Sequence, residues 1–214
     1  MQSVVIDLSK ANQPPGFWDA LISRLPTIQD IEFVNGEAWL SYDHWQFLSH
    51  AVEKGFSKSI ALRYKTNYPV LPWGQKKSQS WDYFSRLDIT FNIEDVDQTG
   101  HFGTTWEEVV DGIHWAKDID IPHMYTTLCI AVNAENVKNL ERMLDWADTK
   151  RFDRVMFNVD TGVGPLNIRN MKSADKESVL NDLKTNFWKA NLYHKEIDNL
   201  IQIIEGTLES LNSK

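Results

Sequence analysis

IEFVNGEAWL, residues 31–40, is a short apolar run that stops at Gly36, with Asn35 before it and Glu37 after. Two structures answer to it. Asn-Gly is a turn dipeptide, because both residues tolerate left-handed backbone that other side chains resist. A buried strand that ends by offering bare backbone and a carboxylate to a ligand needs the same residues. The segments on either side decide what kind of fold holds this one.

Working outward, strand and helix signals alternate. SVVIDL (3–8) reads as a strand, and GFWDALISRL (16–25) has helical spacing at Phe17, Leu21 and Leu25 after Pro14 and Pro15. DIEFV (30–34) is a strand, YDHWQFLSHAVEKG (42–55) an amphipathic helix stopped by Gly55, and SIALRYKT (59–66) a strand. SWDYFSRL (80–87) predicts a short helix and DITFNI (88–93) a strand. TTWEEVVDGIHWAKD (104–118) opens with Thr105 and Glu108, the spacing of a reciprocal helix cap. HMYTTLCIAV (123–132), AENVKNLERMLDWADT (134–149) and RVMFNVD (154–160) continue the pattern as strand, helix and strand. From 174 to 212 only helix is expected, as a pair broken near Asn191. Such alternation suits parallel crossovers. It predicts an α/β fold: an open parallel sheet of about six strands, a partial TIM-like barrel, over residues 1–172, with a helical C-terminal tail over 173–214.

Composition narrows the function. The 214 residues are 42% hydrophobic and 24% charged, which is globular. Thirty acidic against 22 basic residues give a net charge of −8, which disfavours a nucleic-acid backbone as partner. No run approaches the length of a membrane span, and the N-terminus lacks the layout of a secretory signal. The single cysteine, Cys129, sits in an apolar run and reads as a buried filler. A cytoplasmic location fits these features. TGVGP (161–165) lacks the Lys-Ser or Lys-Thr of a phosphate loop, and no histidine pair has metal-binding spacing. The tryptophans, among them Trp45, Trp106, Trp115 and Trp146, read as core anchors.

A polar residue ends every strand after the first: Asn35-Gly36-Glu37, Thr66-Asn67, Asn92 with Glu94, Asn133, and Asn158 with Asp160. Parallel strands gather these residues along one edge of the sheet, where ligands of such folds bind. Polar loop chemistry and a small-molecule site both account for the pattern.

These segments, in this order, resemble the radical S-adenosylmethionine enzymes of the SPASM or twitch type. IEFVNGEAWL looks like the family's Gly-Gly-Glu-Pro strand end, whose backbone holds the cofactor's methionine amino group, with Asn35 for the first glycine and Ala38 for the proline. LRYKTNYPVLP matches the Thr-Asn that ends strand three, and ITFNIED places Asn92 and Glu94 where the family contacts the ribose side. GHFGTTWEEV is similar to a segment whose arginine is His101 here, and LCIAVNAENVKNLERMLDW looks like strand five with its Asn133. FNVDTGVGPLNIRNM resembles the final strand and the proline-led segment beyond it. The similarity covers residues 3–172.

The resemblance implies S-adenosylmethionine at Asn35, Gly36, Glu37, Thr66, Asn67, Asn92, Glu94, His101 and Asn133, with a peptide as a substrate class. It also implies an iron–sulfur cluster on a Cys-x-x-x-Cys-x-x-Cys loop after strand one, which this sequence does not contain. The N-terminus is expected to start close to where that loop would end. Radical initiation by the isolated chain is therefore not expected, and cofactor binding should be weak. Two kinds of function are left: part of a radical enzyme whose cysteine half lies on a separate chain or is lost by truncation, or a non-catalytic small-molecule or peptide-binding module, with a degenerate scaffold as the limiting case. An exposed sheet edge near strand one is expected to favour self-association or a partner chain.

Overall fold

The computed structural model describes residues 2–9, 13–67, 79–96, 105–118, 121–162, 164–186 and 194–212. Six strands form one open sheet in the order β1 (Gln2–Asp7), β2 (Ile28–Val34), β3 (Ala61–Thr66), β4 (Arg86–Ile93), β5 (Met124–Val132) and β6 (Arg154–Val159). The registers run parallel from β1 through β4, with Ile6 opposite Phe33, Phe33 opposite Tyr64 and Thr66 opposite Phe91. This is the α/β, partial-barrel sheet that the alternating pattern predicts. The helices are α1 (Phe17–Arg24), α2 (Tyr42–Glu53), α3 (Trp106–Asp118), α4 (Leu140–Lys150), α5 (Ser173–Asn186) and α6 (His194–Asn212).

The chain forms two compact units. The first comprises residues 1–92 and 99–127, the second 93–98 and 128–214. In the first, strand alternation divides the sheet into two chemically opposite faces. Ile31, Phe33, Leu62, Tyr64, Leu87 and Ile89 are buried. The opposite face carries Asp30 and Glu32 on β2, Arg63 and Lys65 on β3, and Arg86 and Asp88 on β4. Arg63 pairs with Asp30 at 2.7 Å, Lys65 with Glu32 at 2.7 Å, and Arg86 with Asp88 at 2.8 Å. A parallel sheet covered on both faces reads as near-continuous apolar strands, so this polar face is a departure from that pattern.

The buried face holds an aromatic core. Phe33 stacks on Tyr64 with ring centroids 5.0 Å apart, and Trp39, Trp45 and Trp81 pack around them at 5.5–6.4 Å. His44 of α2 is fully buried among these rings. Its Nε2 lies 2.9 Å from the Tyr64 hydroxyl, which also accepts the Trp81 indole N–H at 3.2 Å. Donation of the hydroxyl proton to Nε2 satisfies Tyr64 and leaves His44 protonated on Nδ1, an atom with no hydrogen-bond partner. Burial pulls the imidazole down to about 3 and pushes the Tyr64 phenol above its ordinary value. Trp45 is a core anchor as its spacing predicts, whereas Trp106, Trp115 and Trp146 are half-buried.

Local signals in the sequence explain several boundaries. Gly55 ends α2 at φ 76°. There the Phe56 N–H bonds back to the Ala51 carbonyl and the Gly55 N–H to that of Val52, a paired closure that needs left-handed backbone. Thr105 and Glu108 exchange their predicted cap bonds at 2.8 and 3.2 Å.

Two expected helices are shorter than their sequence patterns. Residues 79–83 form only a 3-10 turn, since the Ser85 N–H is taken by the Ile60 carbonyl and the Leu87 N–H by that of His123. The helix expected from 134 begins as a 3-10 turn at Val137–Asn139 and becomes α-helical at Leu140. In the second unit, α6 packs on α5 and on β6, and Ile197, Leu200 and Ile204 supply its buried stripe.

Candidate functional site

At the end of β2, Asn35 takes a left-handed φ of 58° and is exposed, so the turn reading of Asn-Gly holds for its backbone. Gly36 is required for a different reason. A Cβ there would stand 2.8 Å from both the Cβ and the carbonyl oxygen of Leu8, the residue after β1. The Leu8 N–H in turn donates to the Val34 carbonyl at 2.8 Å. The close approach that makes glycine necessary is thus made by the chain itself.

Glu37 ties β2 to β3. Its Oε2 accepts the Thr66 hydroxyl at 2.6 Å and its Oε1 accepts the Asn67 backbone N–H at 2.9 Å. Thr66 is 1% exposed, so its hydroxyl needs an internal partner. Asn92 follows Phe91, the register partner of Thr66, and is half-buried. Gly36, Glu37, Thr66, Asn67 and Asn92 therefore lie at the C-terminal ends of neighbouring strands in the first unit. Beside Glu37, a cavity of about 610 Å³ is lined by Leu8, Gln13, Phe17, Trp18, Leu40 and Asp43, among others.

Glu94 and Asn133 belong to the second unit, where they line a cavity of about 390 Å³ with Asp95, Glu135, Asn136 and Asn139. Here the pattern of polar strand ends missed a residue. Asn136 is buried and uses its whole amide: Nδ2 donates to the carbonyls of Glu94 and of Ala131, the latter at 2.7 Å, and Oδ1 accepts the Asn133 N–H at 2.8 Å. Asn133 accepts the N–H groups of Glu135 and Asn136 at 2.9 and 3.1 Å. Asp160 closes the turn after β6, its Oδ1 accepting the Gly162 N–H at 2.8 Å. Asn158 is exposed on β6. His101 lies outside the described residues.

An iron–sulfur cluster asks for a set of thiolates that this chain does not offer. The connection from β1 to α1, residues 8–16, is part of this chain and contains no cysteine; Cys129 is buried in β5. β1 precedes this connection and α1 follows it. Among the described residues no cluster of three His, Cys, Asp or Glu could hold a metal ion. The residues present do not fit a thiolate-held cluster. Among the same residues no helix is long and apolar enough to cross a membrane.

No family model and no curated protein sequence matches the chain. Solved structures do. The anSMEcpe structure with bound AdoMet and Cp18Cys peptide aligns with a TM-score of 0.63 and 12% identity, covering 91% of this chain and 62% of that one. A histidine-tagged anSMEcpe with bound AdoMet aligns at 0.58 and 14%, covering 86% and 53%. SuiB of Streptococcus suis bound to S-adenosylmethionine aligns at 0.55 and 11%, covering 84% and 42%. The chain thus spans about six-tenths of anSMEcpe and less of SuiB. At these identities the likeness is one of fold: the open six-stranded sheet is shared with proteins whose structures hold S-adenosylmethionine.

Proposed function

We propose that this chain is a radical-S-adenosylmethionine-like protein of SPASM or twitch descent that binds a small molecule at its strand ends but does not start radical chemistry by itself. The observation that carries this reading is the connection after β1, which is present in the chain and offers no thiolate. A split enzyme would need its partner chain to bring the entire cluster site to that connection, so a non-catalytic binding module is favoured over a subunit completed by a separate cysteine chain.

S-adenosylmethionine, bound weakly, is the ligand class that the shared fold favours. In this reading residues 1–172 supply the core and 173–214 a helical tail. Asn35, Gly36, Glu37, Thr66, Asn67 and Asn92 form one candidate group, Glu94 and Asn133 another, and His101 completes the set. The chain's own residues bind and orient; no step of bond breaking is assigned to them. A peptide is the second ligand class, since an anSMEcpe structure holds a bound Cp18Cys peptide. The acidic balance argues against nucleic acid, and the lone thiol suits the cytoplasm.

One observation favours a degenerate scaffold as the second reading. Leu8 fills the open side of Gly36, and both Glu37 oxygens already accept internal donors. Titration calorimetry of the full chain with S-adenosylmethionine separates the two. The binding module predicts a weak, saturable heat that S-adenosylhomocysteine competes away. Absence of any heat at millimolar ligand would overturn it in favour of the scaffold.

A further inference from the structure

We propose that Asn136 is the positioning residue of the cavity in the second unit, fixing the ends of β4 and β5 so that Glu94, Asp95 and Asn133 hold one geometry. The inference rests on reading that cavity as a ligand site, and names the side chain that shapes it.

The amide chemistry is specific. An asparagine side chain offers two donors and one acceptor oxygen, and a site that uses both kinds cannot be served by aspartate. Asn136 uses both kinds. Its Nδ2 reaches the carbonyl of Glu94 at the end of β4, 42 residues away in sequence, and the carbonyl of Ala131 near the end of β5, while its Oδ1 takes the Asn133 N–H. Glu94 lies just past β4, outside its ladder, Ala131 is the next-to-last residue of β5, and Asn136, at 5% exposure, supplies a donor to both carbonyls. One side chain therefore binds backbone on two strands together and sets the turn at 133–136.

Asn133, three residues earlier, is its chemical opposite. Its Oδ1 accepts twice, from the N–H groups of Glu135 and Asn136. Aspartate supplies the same acceptor. Asn133→Asp and Asn136→Asp each add one negative charge beside Glu94, Asp95 and Glu135. A difference between them therefore reports the lost donors rather than the added charge.

Hydrogen exchange on the full chain reads this directly. In Asn136→Asp the amides of residues 94–96 and 133–139 should exchange at least about tenfold faster, a factor equivalent to about 1.4 kcal/mol, while α5 and α6 keep wild-type protection. Asn133→Asp should keep near-wild-type exchange at the same amides. Asn136→Ser, which retains one donor, should fall between and serves if the aspartate variant does not fold. Equal loosening by the two aspartate variants, or loosening spread evenly through the second unit, would overturn the proposal.

A parallel titration with S-adenosylmethionine should show affinity falling more than about tenfold in Asn136→Asp. If wild type gives no heat while the exchange pattern holds, the ligand reading fails and the positioning role stands. If wild type binds and Asn136→Asp binds equally well, the positioning role fails and the ligand reading stands.

Discussion

The Thr66 hydroxyl donates to the Glu37 carboxylate across 2.6 Å, joining the ends of β2 and β3. Thr66 is almost fully buried and its oxygen is fixed by the strand, so this bond orients the carboxylate as well as satisfying the hydroxyl.

Thr66→Val keeps the shape and removes the donor. The expected cost is about 1.5–3 kcal/mol, the range for a hydrogen bond to a charged group. Glu37→Gln should cost less, because its amide oxygen still accepts the Asn67 N–H and its NH2 can donate to the Thr66 oxygen, so that only the charge and the acceptor for the hydroxyl proton are lost. Urea unfolding curves decide this. A loss below about 0.5 kcal/mol in both variants would mean the clamp is dispensable.

Gly36→Ala should be destabilising even without any ligand. Its Cβ would sit 2.8 Å from the Leu8 carbonyl oxygen, which is backbone and has no rotamer to yield, so a cost of about 1–3 kcal/mol is expected. Leu8→Gly in the same chain removes only the second clash, with the Leu8 Cβ, and should recover part of the loss. Thermal unfolding of the single and double variants checks both steps. It also means that loss of ligand binding in a Gly36 variant cannot be read as loss of a ligand contact.

His44 should remain neutral far below the ordinary histidine range. Its folded value is depressed to about 3 by burial, against 6.5 unfolded. The unfolded chain therefore binds the extra proton first. The contribution is fully present above pH 6.5 and is lost as the pH falls toward 3, at up to about 1.4 kcal/mol per pH unit. An NMR titration should show no His44 ring shift between pH 8 and about 4.5, well above its folded value. A midpoint near the ordinary histidine value would refute the buried geometry.

Anaerobic incubation with iron and sulfide should leave the chain without the broad visible absorption of a cluster, since one cysteine does not supply the three thiolates required. A stoichiometric cluster on this chain alone would sink the proposed function.

Strand β1 is an edge strand in the sheet order, and Val5 on it is 61% exposed. The strand has no proline, and its one charge, Asp7, stands at its last position, so its middle is open to strand addition. Sedimentation should show concentration-dependent association that Val5→Lys reduces. A monomer at every concentration, in both proteins, would remove the self-association proposal.

The alternation of strand and helix, the capped start of α3, the glycine stop of α2 and the left-handed tolerance of Asn35 were all legible in the sequence. Each depends on burial period or on residues within one turn of each other. The row of polar strand ends was legible too, because parallel strands place their ends alike. The partners were not. Glu37 meets Thr66 across 29 residues and Asn136 meets Glu94 across 42, distances that no local pattern spans. Those bonds exist only once the register of the sheet has set which strand end lies beside which. The same holds for Gly36, whose necessity comes from Leu8 just past the neighbouring strand, and for Asn133 and Asn136, identical in type yet different in use. Sequence determined which residues stand at the strand ends; tertiary contact decided which of them are occupied with holding the protein together.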